Sequence, residues 1–307
     1  MDLRQLGALT AVAEHRSFSA AARALHTVQS NISTHIARLE RELGVTLVDR
    51  ASGKLTEEGT AVVSRARRIQ SELEALVADV AAVNSEITGI ARIGVIGTTA
   101  RWLVPRLLEA MAAAYPKVHV VVVDATTTSL LPQVHSGELD LGVLALPVHD
   151  ADVDAELLFE EDLIAVAPKH HPIAALDRLT LADLAEHPLL LEPKGTAFRD
   201  DIEAQAERAG LVLDTHAEVD GIVLLASLAF GGFGVAVLPA SAVPAMADGE
   251  FKVVPIDGMT GRSVGLVRRR RGLPSAPARA LDEVLRTVVA HEASAQPGIH
   301  PAANDGA

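Results

Sequence analysis

Apolar residues recur at helical spacing in two short segments at the start of the chain. The apolar face of the first segment consists of Leu3, Leu6, Leu9 and Val12. Asp2 stands just before this face, where it can cap the N-terminus of a helix. The second segment, "SAAARALH", can be capped by Ser17 or Ser19, and its alanines let another helix approach closely. We therefore predict two short helices in close contact.

A third helix is predicted within "HTVQSNISTHIARLERELG", residues 26–44, and its two edges differ. The apolar edge is made by Val28, Ile32, Ile36 and Leu39, at spacings of four, four and three residues. The opposite edge carries short hydrogen-bonding side chains and one arginine: Ser30, Asn31, Ser33, Thr34 and Arg38. A solvated helix surface usually carries Glu and Lys instead. The short polar side chains therefore indicate a surface that contacts something, although a capped and merely solvated helix is the alternative.

The next two segments predict a hairpin and a long helix. "GVTLVDRASGKLTEEG" has two extended pieces around the turn residues Ser52 and Gly53. From Glu57 to Thr88 the only Pro or Gly is Gly59. The apolar residues there alternate spacings of four and three: Val62, Ala66, Ile69, Leu73, Leu76, Val80, Val83 and Ile87. This heptad pattern is typical of a two-stranded coiled coil, and the alternative is an amphipathic helix packed on its own domain.

After a predicted hinge at "TGIAR", residues 88–92, strand and helix patterns alternate to near the end of the chain. Continuous apolar runs such as "VVVV" are typical of strands that helices cover on both faces. Two sets of such elements follow each other, and "SVGLVRRRR" is expected to close the second set. We interpret its four arginines as a solvated edge that discourages strand pairing. The final segment, "ASAQPGIHPAANDGA", is polar enough to be disordered.

Charge is distributed unevenly along the 307 residues, whose net charge is −13. The first 70 residues hold 10 basic and 7 acidic side chains, whereas the remaining 237 hold 17 and 33. A basic end on an acidic body indicates that only the N-terminal part meets a polyanion, although so small an excess can arise by chance. The chain has no cysteine, no signal-peptide pattern and no membrane-spanning run, so a soluble cytoplasmic protein is expected.

Two helices joined by a tight turn and a small-residue contact form the helix-turn-helix pattern. The second helix of this motif lies in the major groove of DNA and reads base edges near its N-terminal end. Gln29 and Asn31 can pair with adenine, and Ser30, Ser33 and Thr34 can bond bases or phosphates. Arg38 shares their edge, whereas Arg50 and Lys54 on the hairpin suit the flanking backbone.

The segment "SFSAAARALHTVQSNISTHIARLERELGVTLVDR", followed by "KLTEEG", resembles the N-terminal domain of LysR-type transcriptional regulators. "LLPQVHSGELDLGV", "EPKGTAFR" and "GFGVAVLP" match the family more loosely, and Val48 stands where Phe is commoner. The resemblance implies an α/β protein with an N-terminal all-α winged helix-turn-helix, a long linker helix that pairs two subunits and a two-lobed, periplasmic-binding-protein-like effector domain. It also implies a homodimer or homotetramer that binds interrupted palindromes in double-stranded DNA and contacts RNA polymerase.

These expectations divide the chain into four parts. In chain order they are a DNA-binding domain at 1–57, a linker helix at 58–88, an effector domain at 89–292 and a disordered tail at 293–307. Within the effector domain, we assign 90–161 and 269–292 to lobe I and 162–268 to lobe II.

Ligands of open α/β sheets bind at the carboxyl ends of strands, near helix N-termini. Several residues fit this placement: Thr98, Thr99, Arg101, Thr126, Thr127, Thr128, Thr196 and Arg199. Amides and hydroxyls at helix starts favour a carboxylate or another small anion, with which Arg199 or Arg101 could pair. The resemblance places inducer contacts in the same loops. For each threonine taken alone, an ordinary helix cap is the alternative.

Enzyme motifs are missing from the sequence. The glycines of "GGFGVAV" precede a strand rather than a helix, and neither G-x-S-x-G nor a phosphate loop occurs. His170 and His171 lie in a predicted loop, and no H-E-x-x-H motif occurs among the 12 histidines. We therefore expect no enzymatic activity, no metal and no cofactor. A ligand-binding protein without a DNA role would explain residues 90–290 but not the first 56.

Overall fold

The computed structural model describes residues 1–50, 52–83, 86–243 and 249–302. The helices within these residues are α1 (Leu3–His15), α2 (Phe18–Ala24), α3 (Gln29–Leu43), α4 (Glu57–Val83), α5 (Gly97–Ala114), α6 (Thr127–Ser136), α7 (Leu181–Ala185), α8 (Ala197–Arg208), α9 (Ile222–Phe230) and α10 (Ala276–Glu292). The strands are β1 (Gly89–Val95), β2 (Val118–Asp124), β3 (Leu141–Ala145), β4 (Val153–Glu161), β5 (Leu163–Pro168), β6 (Leu179–Thr180), β7 (Leu189–Leu191), β8 (Thr215–Glu218), β9 (Val235–Pro239), β10 (Phe251–Asp257), β11 (Arg262–Arg269) and β12 (Ile299–Pro301).

Helices α1, α2 and α3 pack around one small core, as the apolar spacing predicts. The buried positions that the pattern identified are Leu6, Leu9, Val12, Ile32, Ile36 and Leu39. Asp2 caps α1 in a capping box with Gln5, and Ser17 rather than Ser19 caps α2. Two positions were wrongly predicted to point inward. Leu3 is 53% exposed in the first turn of α1, and Val28 is 59% exposed because it precedes α3 in an extended conformation.

The predicted hairpin is a short wing that is tied to the end of α3. Val48 and Leu55 form a β-bridge, and the Asp49 N–H donates to the Lys54 carbonyl over 2.8 Å. The carboxylate of Glu40 on α3 accepts the Leu47 N–H, which holds the wing against the helix. Val48 is fully buried, so this smaller substitute for the commoner Phe still packs into the domain core.

Helix α4 covers most of the predicted heptad segment. Its apolar heptad positions, which we call the seam, are mostly exposed to solvent. Ala66 is buried against the first domain, but the later seam residues are exposed: Ile69, Leu73, Leu76, Val80 and Val83. Their exposed fractions rise from 39% at Ile69 to 84% at Val83. Packing on its own domain therefore accounts only for the start of the helix. Ile87 lies beyond the end of α4, and most of the predicted hinge at 88–92 belongs to β1.

Two six-stranded sheets form the two lobes that the sequence predicts. The strand order is β12-β4-β11-β3-β1-β2 in lobe I and β6-β10-β5-β9-β7-β8 in lobe II. In lobe I, β1 is parallel to β2 and β3, and in lobe II, β7 is parallel to β8 and β9. The chain crosses between the lobes twice, after Glu161 and before Arg262.

The predicted return to lobe I at residue 269 is wrong, because the whole of β11 belongs to lobe I. Its apolar stretch is buried, and it pairs with β3 on one side and β4 on the other. The arginine run therefore does not form the solvated sheet edge that we predicted. Arg268 instead binds Asp282 over 3.0 Å, and Arg270 binds Asp154 over 2.8 Å.

The predicted disordered tail is also wrong for most of its length. Residues Ala293–Ala295 form a short 3-10 helix, and β12 pairs with β4 in an antiparallel register. Ile299 supplies the apolar contact that orders this segment, since it is 4% exposed in the lobe I core. Residues 303–307 of the predicted tail lie outside the described part of the chain.

Polar contacts dock α4 onto lobe I. Arg67 pairs with Glu138 over 2.8 Å, and the Ser71 hydroxyl donates to the Gly137 carbonyl over 2.9 Å. Further along, the Asp79 carboxylate accepts the first N–H of α10 over 2.8 Å. These contacts hold α4 and the N-terminal domain that it extends from against lobe I.

Candidate DNA interface and effector cleft

The polar edge of α3 faces solvent, and the opposite face of the helix buries Ile32, Ile36 and Leu39. Five of its predicted DNA-contact residues are exposed, and Ser33 is half-buried; the exposed ones are Gln29, Ser30, Asn31, Thr34 and Arg38. The Gln29 side-chain oxygen accepts a hydrogen bond from the Ser19 hydroxyl over 2.8 Å. This contact from α2 orients the Gln29 amide, and the sequence analysis did not identify it because Ser19 was considered only as a cap.

Other residues of the polar edge are held by local bonds. The Asn31 amide donates to the Thr27 hydroxyl over 2.9 Å, and the Thr34 hydroxyl donates to the Ser30 carbonyl over 2.8 Å. Their side chains are thus placed before any DNA arrives. The structure brings these residues together on one face, as the helical spacing predicted.

The two predicted wing cations differ in their surroundings. The Arg50 guanidinium lies 5.8 Å from the centre of the Phe18 ring and 3.3 Å from a Glu40 carboxylate oxygen. Its side chain remains 51% exposed, so the charge can still meet a phosphate. Lys54 is exposed on the turn of the wing. Both cations stand beside α3, where a DNA backbone would pass if α3 lay in the major groove.

The first predicted effector residues, Thr98 and Thr99, are buried in the N-terminal turn of α5. The Thr98 hydroxyl accepts a hydrogen bond from Arg262 over 2.8 Å. The Thr99 hydroxyl has no partner among the described residues. Direct contact of Thr98 with a ligand would therefore have to compete with Arg262.

A buried ion pair lies where the chain crosses between the lobes. Glu161 is 0% exposed and accepts from the Arg262 Nε over 2.7 Å. The same carboxylate accepts the backbone N–H of Ser241 in lobe II over 3.0 Å. Neither Glu161 nor Arg262 was identified from the sequence, because their partners are distant in the chain.

The other predicted threonines act mainly within their own loops. The Thr127 hydroxyl accepts the Ala145 N–H over 3.1 Å, and the Thr126 and Thr128 hydroxyls bond each other over 3.0 Å. The Thr196 hydroxyl donates to the Pro193 carbonyl over 3.0 Å. Thr126 and Thr128 remain exposed, so they stay available to a ligand.

The two arginines predicted to pair with an anionic effector differ in their surroundings. Arg199 is only 1% exposed, and its guanidinium binds Glu203, Thr215 and the Glu192 carbonyl inside lobe II. Arg101 reaches across to the Ala242 carbonyl of lobe II over 3.4 Å. Arg101 is exposed and therefore remains a candidate charge partner for an anion, whereas Arg199 is not accessible.

Two carboxylates also lie at the strand ends. Burial raises the pKa of Asp124, which ends β2. Burial and the nearby charge of Asp220 raise the pKa of Glu192, which follows β7, whereas a hydrogen bond with the Thr196 side chain and the charge of Arg262 act in the opposite direction. A signal for Asp124 and Glu192 was present in "VVVVD" and "LLLE", where an acidic residue directly follows an apolar strand.

Two further features of the described residues bear on function. Among them, none of the helices combines the length and the hydropathy that a membrane span requires. His135, Asp150 and Asp152 form the one group of side chains there whose ligand atoms lie close enough together for a metal ion. The His135 Nδ1 and an Asp150 oxygen are already 2.9 Å apart, so a simple ion pair also explains this contact.

Comparison with known families decides what this combination of domains is. Residues 3–60 match the model of the bacterial regulatory helix-turn-helix protein, lysR family, and residues 84–290 match the LysR substrate binding domain. The chain belongs to the LysR family. This LysR-family protein is thus a DNA-binding transcriptional regulator with an effector domain, and a ligand-binding protein without a DNA role is not supported.

Named relatives resemble the LysR-family chain over nearly its whole length. It is 33% identical over 294 residues to the DNA-binding transcriptional dual regulator OxyR of Escherichia coli, covering 94% of this chain and 95% of that one. It is 34% identical over 293 residues to a probable hydrogen peroxide-inducible genes activator of Streptomyces viridosporus, covering 93% of both. A solved full-length OxyR variant from Pseudomonas aeruginosa has 26% identity, a TM-score of 0.73 and 95% coverage of both chains.

Proposed function

We propose that this LysR-family regulator binds an interrupted palindromic operator as a dimer of dimers and responds to a small molecule between its lobes. The observation that supports operator binding best is the polar edge of α3, where short side chains are exposed. The two wing cations, Arg50 and Lys54, lie beside this edge. The exposed seam of α4 supports the pairing of two subunits. Two paired α3 helices need two half-sites separated by about an integral number of DNA turns. Such binding implies a cytoplasmic protein.

The effector mechanism that we propose is a shift between two assembly states. A small molecule that closes the two lobes would change how dimers sit in the tetramer, because α4 is docked onto lobe I. That change would alter the spacing of the α3 helices and the contact with RNA polymerase. The ligand must bind one state better than the other for this shift to occur.

Noncovalent ligand binding suits this chain better than the chemistry that its relatives' names imply. Several relatives are named as hydrogen peroxide-inducible genes activators. Peroxide sensing by thiol oxidation requires cysteine. None of the 307 residues is cysteine, so that route is not available along this chain.

A binding titration with the DNA that flanks the protein's own gene tests the proposed function. It is carried out at two salt concentrations and against random competitor DNA. We expect tight, salt-sensitive binding that survives the competitor, because the wing cations meet phosphates while α3 reads bases. If the flanking DNA is bound no better than random DNA, a genome-wide binding selection decides the question. Recovery of no preferred sequence there would refute the proposal.

Gln29→Ala is expected to weaken operator binding by about 1–3 kcal/mol and to relax base preference. The physical reason is the loss of an amide that Ser19 holds in place for bidentate pairing. Titrations on operator and on random DNA measure the effect. Gln70→Ala removes an exposed glutamine from α4 and serves as the control. Equal losses of affinity on operator and on random DNA would refute base reading by Gln29.

Arg50→Ala is expected to weaken binding to all sequences similarly and to lower the salt dependence by about one unit of slope. Arg50 carries an exposed charge beside α3 and no base-reading amide. Repeating the titrations at several salt concentrations gives the slope. A loss of affinity confined to the operator would contradict a phosphate contact.

A further inference from the structure

One histidine and two aspartates converge at the C-terminal end of α6. His135 lies in the last turn of α6, whereas Asp150 and Asp152 belong to the loop between β3 and β4. Each of the three side chains offers one ligand atom, and these atoms all lie within 4.8 Å of one another. We call this group the His–Asp cluster. The fold thus brings a helix end and a loop together at one point on the surface of lobe I.

The His–Asp cluster carries more negative charge than its surroundings neutralise. Within the ranges that the structure describes, no arginine or lysine forms an ion pair with Asp150 or Asp152. By contrast, Asp154, two residues farther along, is paired with Arg270 over 2.8 Å. A protonated His135 would leave one negative charge of the cluster uncompensated, and a neutral His135 leaves two. A bound cation would relieve the repulsion between the two carboxylates.

The cluster is accessible from solvent and its ligands are already in place. The His135 and Asp150 side chains are 43% and 23% exposed, and Asp152 is exposed as well. One Asp150 oxygen lies 2.9 Å from the His135 Nδ1, and the other accepts the Asp152 N–H over 2.8 Å. The C-terminus of α6 adds about half a negative charge beside them. An ion from solvent would therefore meet three ordered ligands and a favourable helix end.

One imidazole nitrogen and two carboxylate oxygens suit a transition-metal ion such as Zn²⁺. Zinc binds these atoms at about 2.0–2.2 Å, so ligand atoms that share one ion lie roughly 3–4 Å apart. Rotation of the exposed His135 and Asp152 side chains is sufficient to reach that spacing from the present one. Ca²⁺ and Mg²⁺ prefer sets of oxygen ligands alone. The nitrogen ligand therefore favours zinc over these two ions.

The position of the His–Asp cluster connects it with the docking of α4. Two residues after His135, the Gly137 carbonyl accepts the Ser71 hydroxyl of α4 over 2.9 Å. The next residue, Glu138, pairs with Arg67 of α4 over 2.8 Å. The same end of α6 thus belongs to the cluster and contacts α4. An ion that fixed this end to the loop before β4 would also fix the surface on which α4 is docked.

We propose that His135, Asp150 and Asp152 bind one divalent transition-metal ion of the Zn²⁺ type, with water completing its coordination. The site lies at the opposite end of α6 from Thr127, so it is separate from the predicted effector residues and does not depend on the proposed function. The sequence analysis predicted no metal. An H-E-x-x-H search along one helix does not detect ligands that a helix and a loop supply from 15 residues apart.

Calorimetric titration of the full chain with Zn²⁺ tests this inference. The protein is produced without a polyhistidine tag and is freed of bound metal by a chelator that is then removed. We expect one ion to bind per chain, and Ca²⁺ to bind at least tenfold more weakly. His135→Ala, Asp150→Asn and Asp152→Asn should each weaken Zn²⁺ binding about tenfold or more, because each removes a ligand and even the loss of a ligand's supporting partner costs about that much.

His119→Ala and Asp177→Asn are the matched controls. His119 is an exposed histidine on β2 of the same lobe, and Asp177 is a fully exposed carboxylate of lobe II. Both variants should bind Zn²⁺ as the unmodified chain does. Thermal unfolding gives a second measurement, since an ion that binds only the folded chain raises the midpoint of unfolding. We expect this rise in the unmodified chain and in both controls, but not in His135→Ala.

Three outcomes would overturn the inference. The first is no Zn²⁺ binding at submillimolar concentration, which would leave the ion pair of His135 and Asp150 as the whole role of the cluster. The second is Zn²⁺ binding that is unchanged in His135→Ala and in Asp150→Asn, which would place the ion elsewhere on the chain. The third is Ca²⁺ binding as tight as that of Zn²⁺, which would show an acidic surface without a role for the imidazole.

Discussion

Glu161→Gln is expected to lower the free energy of unfolding of the effector domain by about 3–5 kcal/mol. The substitution preserves shape but leaves the Arg262 guanidinium, whose side chain is 14% exposed, without its carboxylate partner. It also weakens the acceptor for the Ser241 N–H across the lobes. Urea unfolding followed by the fluorescence of Trp102, the chain's only tryptophan, measures the loss within lobe I.

An exposed ion pair in the same domain supplies the control for this measurement. Arg178 and Asp257 are 62% and 48% exposed, so Asp257→Asn should cost about 1 kcal/mol or less. The double substitution Glu161→Leu with Arg262→Met should be more stable than Glu161→Gln, because it removes both buried charges. A Glu161→Gln protein no less stable than Asp257→Asn would show that water or rearrangement compensates the unpaired guanidinium.

Leu76→Asp combined with Val80→Asp is expected to separate the paired subunits and to weaken operator binding about 100- to 10,000-fold. Both residues lie on the α4 seam and are 60% exposed in the single chain. Carboxylates at these heptad positions would face each other in a dimer and remove its apolar contact. A separated subunit binds only one half-site. It loses the gain in affinity that arises when binding of the first half-site raises the effective concentration of the second DNA-binding domain at its own half-site. Sedimentation gives the oligomeric state, and titration with operator DNA gives the affinity.

Val77→Asp is the matched control, because Val77 is exposed on the same helix but lies beside the seam. Charged residues are common at such flanking heptad positions, so the dimer should persist. If the double variant stays dimeric, the subunits pair through another surface and the seam has a different partner. If it becomes monomeric but keeps its operator affinity, one DNA-binding domain is sufficient for recognition.

Periodicity predicted the elements that bury a continuous apolar face. The spacing of Ile32, Ile36 and Leu39 placed α3 and hence its polar edge, and the heptad pattern located α4. Such patterns work because burial of a helix face depends on residues close together in sequence. They are weaker at helix ends, where Val28 fits the spacing but lies outside the helix.

Tertiary pairing accounts for most of what the sequence did not reveal. Glu161 and Arg262 are 101 residues apart, and no local pattern identifies them as partners. Arg199 stands at the start of a helix, as an anion-binding residue would, but the fold buries it against Glu203 and Thr215. Which arginines are already engaged by other side chains is visible only in the folded chain.

Strand β12 gives residues 299–302 a protective role. Ile299–Pro301 bond to the outer side of β4 near Glu161, and the Ala302 N–H continues this pairing at Leu158. Farther along β4, the charged side chains of Asp154 and Glu156 discourage pairing with a strand of another chain. An exopeptidase that removed the residues after α10 would expose the unpaired edge of β4, next to the point where the chain crosses between the lobes. Such an edge can pair with a strand of another chain. Aggregation of this regulator would then depend on whether residues 299–302 stay paired with β4.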